Sequence, residues 1–231
     1  MGHCFILYKI KSDINQDSSM HPNPIYRQTE AKRSLGFAFA TGFGQIMVSA
    51  DPVPLVAHIP FLQGQQAGEI ELHLVRSNPI ARLLQNVQKP AKLSVSGPHG
   101  YISPDWYGVK DQVPTWNYVA VHISGTLRKL EADELPALLD RLSAHFEAQL
   151  APKAAWKASK MTPEVLQKML RQIIPCSFKI EDIHSTWKLN QNKTDTSRLA
   201  AADAVAQAGV GSETTALAAL MRALDEEVWG Q

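Results

Sequence analysis

Alternation of apolar and polar positions runs through the first two thirds of the chain and then gives way to a helical period. EIELHLVRS at 69–77 sets Ile70, Leu72, Leu74 and Arg76 on one face and Glu71, His73 and Val75 on the other, the period of two that a half-buried strand requires. FAFAT, QIMVSA and PLVAHIPFL, divided by Gly42, Gly44 and the DPVP turn, predict an antiparallel meander before it. AKLSVSG at 91–97 and WNYVAVHISGTLRKL at 116–130 add two strands. In the second, Val119, Val121 and Ile123 form a plain core face, while Trp116, Tyr118, Ala120 and His122 form an amphipathic one suited to a site or an interface. A last strand, CSFKIEDIHSTWKLNQ, changes apolar phase between Ile180 and Ile183. One extra residue near Glu181 or Asp182, a β-bulge, accounts for the slip.

Helical spacing fills the gaps. HPNPIY at 21–26 is extended because its two prolines oppose helix, and residues 27–36 predict a short helix ended by Gly36. Asn78 and Pro79 are N-cap and first residue of another, with Ile80, Leu83, Leu84 and Val87 on its apolar face. Asp133 is placed to cap a helix carrying Leu135, Leu138, Leu139, Leu142 and Phe146. Thr162 and Pro163 open one that buries Leu166, Met169, Leu170 and Ile173. Two Ala-rich helical patterns, 197–208 and 213–228, follow around GVGS. The class is α+β, mainly antiparallel. The division is a main domain at 20–193 and a helical tail at 194–231. Residues 1–19 are read as an added or misassigned leader before a natural start at Met20, because their lysines follow the apolar CFILY, the reverse of a signal peptide.

With 45% hydrophobic residues in a chain of 231, a full core can be buried. A formal net charge of +1 gives no case for nucleic acid or an anionic membrane unless a local patch supplies one. The tail imitates a helix-turn-helix, but Arg198 and Arg222 stand against Asp195, Asp203, Glu213, Asp225, Glu226 and Glu227, a balance that phosphate repels. Cys4 and Cys176 form neither a metal spacing nor a disulfide framework, which suits a reducing cytoplasm. No apolar run approaches the ~20 residues of a membrane span. His58, His73, His99 and His122 lack the spacing of a helix-borne metal motif; a single axial histidine for haem stays open. No Ser-His-Asp order, paired-carboxylate signature or P-loop is present.

Half of the Trp and Tyr residues, Tyr101, Trp106, Tyr107, Trp116 and Tyr118, fall in VSGPHGYISPDWYGVKDQVPTWNY at 95–118. Aromatic rings among Gly, Pro, Ser and Asn read either as a slot for a flat ligand or an interface, or as core and corner residues of a β-domain.

HIPF at 58–61, HLVRSNP at 73–79, VSGPHGYISPDWY at 95–107, VPTWNY at 113–118 and KLNQNK at 188–193 together resemble the PaiB-type FMN-binding regulator family. The resemblance runs from about Met20 to Lys193 and stops short of the Ala-rich tail. It implies a split β-barrel of the pyridoxamine-phosphate-oxidase type, a homodimer with FMN between subunits, and negative transcriptional regulation, in a family first associated with sporulation and protease genes. In that frame Arg76, Ser77 and Asn78 are expected to hold the phosphate at a strand exit. Tyr101, Trp106 and Trp116 are the expected wall for the ring, with Ser96, Ser103, Thr115 and Asn117 at its edge, and Lys188 is expected to reach the phosphate, across the dimer in one arrangement. The plainer alternatives are a surface ion pair for Arg76, capping for Asn78, packing for Trp116 and Tyr118, and a solvated strand end for Lys188. Three functions stay open: a flavin-linked regulator, an NAD(P)H-dependent flavin oxidoreductase, and a flavin- or haem-binding module without turnover.

Overall fold

The computed structural model describes residues 20–224; the expected leader at 1–19, and the part of the last helical pattern beyond 224, lie outside the described residues. A 3-10 turn, Pro24–Tyr26, capped by the Asn23 side chain, takes the place of the extended HPNPIY. The chain then forms α1 (Ala31–Thr41), β1 (Phe43–Val48), β2 (Leu55–Gln63), β3 (Glu69–Val75), α2 (Pro79–Leu83), β4 (Lys89–Ile102) and β5 (Thr115–Lys129). After these come α3 (Leu135–Ala148), α4 (Pro163–Leu170), β6 (Ile173–Lys188), α5 (Asp195–Ala208), the two-residue β7 (Gly211–Ser212) and α6 (Thr214–Arg222).

The strands lie in the order β1-β2-β3-β6-β5-β4-β7, and β1 also pairs with β4, so the six long strands close into an antiparallel barrel. Closure removes the free edges that an open sheet exposes. Ile46, Val48, Ile59, Phe61, Ile70, Leu72, Leu93, Val121, Ile123 and Phe178 fill the interior. The inner face of β5 is the Val119–Val121–Ile123 row expected from its alternation. β6 pairs with β3 only over Ile173–Lys179 and continues to Lys188 beside β5 alone. On this stretch α1 packs instead. Ser34 Oγ donates to Ser185 Oγ at 2.9 Å, Trp187 Nε1 donates to Ser34 Oγ at 3.3 Å, and Phe37 meets the Trp187 ring edge-on at 5.5 Å.

The bulge is where the phase slip put it. Ser124 faces Asp182 and Gly125 faces Ile180, leaving Glu181 as the extra residue, its carboxylate accepting from Thr126 Oγ1 at 2.7 Å. Four expectations are corrected. FAFAT is the end of α1, not a strand: Ser34, Phe37 and Ala38 are buried at helical spacing, and the helix stops at Gly42 in the left-handed region at φ 60°. α2 ends at Leu83, leaving Val87 exposed. α3 is entered through a 3-10 turn whose capping box joins Glu131 and Glu134, so Asp133 is not the cap. α4 has no fully buried residue, and Met169 is 52% exposed.

α5 and α6 share the barrel's core through Ala201, Ala202, Val205, Leu217, Ala218 and Met221. They come so close to β4 that a Cβ on Gly100 would sit 2.9 Å from Val205 and 3.1 Å from Leu217. Arg198 donates to the carbonyls of Met221 and Arg222 and to Asp195, and Arg222 donates to Asp203 at 2.6 Å. Both arginines of the helix-turn-helix mimic are therefore committed within the tail.

Candidate functional site

The expected site residues fall into three places. Arg76, Ser77 and Asn78 form the turn where β3 exits toward α2. Arg76 is held by two carbonyls: its Nε donates to Arg171 O at 2.8 Å and its Nη2 to Ile173 O at 3.2 Å. This replaces the surface ion pair of the plainer reading with a backbone clamp and leaves other guanidinium N–H groups directed outward. Asn78 accepts from Ile80 N at 2.9 Å and so caps α2. With Pro79 lacking an N–H, the helix end itself offers little to an anion. The side chains supply the charge. Val75, Arg76, Ser77, Arg82, Gln85 and Gln172 line a cleft of about 520 Å³ with no carboxylate among them. Two guanidinium groups, a hydroxyl and two amides match the needs of a phosphate dianion.

Tyr101, Thr115, Trp116 and Lys188 gather at the other end of the barrel. Trp116, 47% exposed, meets Tyr101 edge-on at 6.2 Å and His99 at 6.1 Å. Lys188 Nζ donates to Thr115 Oγ1 at 2.5 Å and stands 5.9 Å from the Tyr26 ring. Burial lowers the pKa of this lysine, and among the described residues no carboxylate pairs with it. A half-buried cation beside a hydroxyl and exposed aromatic surface fits the polar edge and flat face of a flavin ring. Ser96 is exposed on the outer face of β4, opposite Ala120 and just before a register shift.

The remaining expected residues lie in contacts within the chain. Ser103 caps the 3-10 turn Pro104–Tyr107, and Trp106 packs partly buried against the core. Asn117 is fully buried, its Nδ2 donating to Met221 Sδ at 3.5 Å and its Oδ1 without a protein partner. The late KLNQNK motif is likewise mostly a knot. Gln191 Nε2 donates to Trp187 O at 2.5 Å and Ile25 O at 3.3 Å, and Tyr107 Oη donates to Asn190 Oδ1 at 3.3 Å. Arg82, Gln85 and Gln172 were not singled out from sequence. The first two follow from the α2 pattern, since they occupy the face that Ile80, Leu83 and Leu84 leave; Gln172 carries no local signal.

Among the described residues no group of three or more His, Cys, Asp or Glu side chains is placed to hold a metal, and no helix is long and apolar enough to cross a membrane. Three histidines have a lowered pKa, His21 among them, through burial and then the charge of Lys188. Burial lowers the pKa of His73, and burial followed by the charges of Lys92 and His184 lowers that of His122. The unfolded chain therefore takes up these protons first as pH falls below about 6.5, and folding stability drops from there downward. The urea midpoint is expected to fall between about pH 7.5 and about pH 5.5, and His73→Gln combined with His122→Asn to flatten that fall; an unchanged slope in the double variant refutes the assignment.

A family model described as "Putative FMN-binding domain" matches residues 20–182. Among curated proteins, the "Protease synthase and sporulation protein PAI 2" of Bacillus subtilis (strain 168) is 31% identical over 173 residues, covering 74% of this chain and 82% of that one. An uncharacterized protein of Saccharomyces cerevisiae is 38% identical over 85 residues, 34% of this chain and 50% of that one. Among solved structures, the FAD and heme binding protein from Mycobacterium smegmatis superposes with a TM-score of 0.51 at 18% identity, covering 81% of this chain and 82% of the other, a likeness of fold. The closed antiparallel barrel with its peripheral helices is thus the expected split barrel, a fold it shares with that protein. From Met20 to Asp182, most of its length, this chain belongs to the FMN-binding domain family, the family that PaiB-type proteins represent, and FMN is the cofactor that membership assigns.

Proposed function

We propose that this chain is an FMN-binding homodimer acting as a flavin-linked regulator of the PaiB type, with each flavin held by two protomers. The cleft at Arg76, cationic and free of carboxylates, is the observation that carries the reading. Arg76, Ser77 and Arg82 bind the phosphate there, and Gln85 and Gln172 fill its remaining acceptor positions. Trp116 and Tyr101 give the ring a wall that excludes water, while Lys188, oriented by Thr115, sets a positive charge at its polar edge. Bound FMN supplies hydride and electron chemistry; the protein supplies position and field.

Support for the dimer comes from distance. β6 begins beside Arg76 and ends at Lys188, and its 16 residues have a contour of roughly 50 Å at about 3.3 Å per residue, an upper limit that still sets its two ends at opposite ends of the barrel and argues against one flavin touching both. A two-fold axis perpendicular to the strands reverses the barrel and sets the Trp116 end of one protomer beside the Arg76 cleft of its partner.

The name of the Bacillus relative connects that protein with protease synthesis and sporulation. For this chain a comparable role operates without direct DNA reading by α5 and α6, whose arginines are engaged internally. The absorbance spectrum of protein equilibrated with FMN and desalted tests the reading. Flavin bands at one FMN per protomer, with no steady NAD(P)H oxidation, are expected. A colourless protein or a Soret band alone refutes FMN binding. Sustained NAD(P)H turnover reassigns the protein as an oxidoreductase.

A further inference from the structure

We propose that the segment from Leu150 to Arg171 is a docking surface for a bilayer rich in anionic lipid. Four of the chain's exposed large apolar side chains lie within it: Leu150 at 52%, Trp156 at 38%, Val165 at 46% and Met169 at 52% exposure. Val165 and Met169, four residues apart, share one face of α4, and Lys168 flanks them. Leu166 and Leu170 are only half-buried on the neighbouring face. Trp156 is held rather than loose. Its backbone N–H donates to Glu147 Oε2 at 2.8 Å, and the same carboxylate accepts from Lys153, so one acid at the end of α3 ties down the loop that presents the indole.

The charge is as local as the apolar surface. Lys157, Lys160, Lys168 and Arg171 are all exposed, and among the described residues none forms a salt bridge; Glu164 is the one acid between them in sequence, and Glu147, already bonded to Lys153, is the one that also feels Lys160. A chain of net charge +1 thus carries four exposed cations between 157 and 171, a local excess that its totals conceal. At its end the Arg171 carbonyl accepts from Arg76 Nε, which ties the segment to the end of β3. The acidic 3-10 turn Ala132–Glu134 lies on the opposite, β5 flank of β6, where Leu130 N donates to Pro175 O.

Lysines interleaved with Trp, Leu, Val and Met suit a membrane interface, where apolar groups enter the acyl boundary while ammonium groups meet headgroup phosphates. Nucleic acid would satisfy the cations and leave four apolar side chains wet. A second copy docked with this segment on the two-fold axis would set the four cations against themselves.

Co-sedimentation of the full chain with vesicles tests the proposal. Binding is expected to vesicles rich in phosphatidylglycerol and to be weak with pure phosphatidylcholine. Lys157→Glu/Lys160→Glu, or high salt, should each reduce it by about tenfold or more. Trp156→Ser/Met169→Ser should reduce it comparably, with FMN content and circular dichroism unchanged in both variants. Equal binding to neutral vesicles, no binding to anionic ones, or variants that bind like the parent overturns the proposal. So does retardation of duplex DNA without vesicle binding, which makes the patch a nucleic-acid surface, or conversion of a dimer to monomers by the charge reversals, which makes it a subunit interface. Capture of an acidic protein without vesicle binding overturns it as well.

Discussion

Mixing Arg76→Ala protomers with Trp116→Ala protomers is expected to restore flavin binding that each variant alone has lost. Hydrogen bonds to a charged group contribute about 1.5–3 kcal/mol, so Arg76→Ala should weaken FMN binding by about tenfold to a hundredfold. Trp116→Ala removes the exposed ring that faces Tyr101 and His99. If each site takes Arg76 from one protomer and Trp116 from the other, a mixed dimer has one site with both lesions and one with neither. Random exchange then returns about a quarter of the original sites at parental affinity. Fluorescence titration of FMN after subunit exchange reads this directly. Restoration also answers the objection that Arg76→Ala disturbs the Arg171 and Ile173 carbonyls it clamps, since a misfolded protomer could not lend its Trp116. Two inactive parents whose mixture stays inactive would place both residues in sites built within a single protomer.

Gly125→Ala is expected to lower stability by about 3 kcal/mol or more, with Gly36→Ala raising it by about 0.5–1 kcal/mol. Both add a single methyl group. At Gly125, opposite the bulge, a Cβ would lie 2.0 Å from the Lys179 carbonyl oxygen and 3.1 Å from the Phe178 ring. The clash is with backbone of the neighbouring strand, so relief requires β5 and β6 to separate beside the bulge. At Gly36, in the middle of α1, nothing lies within 4 Å, and the methyl group only improves helix propensity. Urea unfolding of the two variants gives the comparison. A Gly125→Ala protein as stable as its parent would mean that the bulge absorbs the methyl group, and that the β5–β6 pairing does not depend on contact at this point.

Much of the barrel can be read along the chain because strand alternation is a local signal that burial enforces. Val119, Val121 and Ile123 pointed inward as their spacing requires, and the slip between Ile180 and Ile183 located Glu181 as the extra residue without knowledge of the partner strand. The same reasoning misread FAFAT, whose two-residue repeat imitates a strand. What makes it helix is non-local: Phe37 and Ser34 are recruited by Trp187 and Ser185, about 150 positions away, and tertiary packing outweighs the repeat. Met169 failed for the complementary reason. Its helical stripe is real, but among the described residues Met169 stays 52% exposed.

By itself, the sequence determined the strands, the bulge, the capped helix after β3 and the family to which the barrel belongs, each through residues adjacent in the chain. Only the tertiary structure decided which motif residues are free for chemistry. Tyr107, Asn117 and Asn190 share the motifs of Tyr101, Trp116 and Lys188, yet the former are buried beneath the helical tail and around the loop after β6, and the latter stay at an open rim. It also joined Arg76 to Arg82 and Gln172 in one cleft and set that cleft a full strand's length from Trp116. The physical reason is that alternation fixes which face of a strand a residue occupies, whereas exposure and proximity depend on what other segments cover that face, and no local pattern carries this.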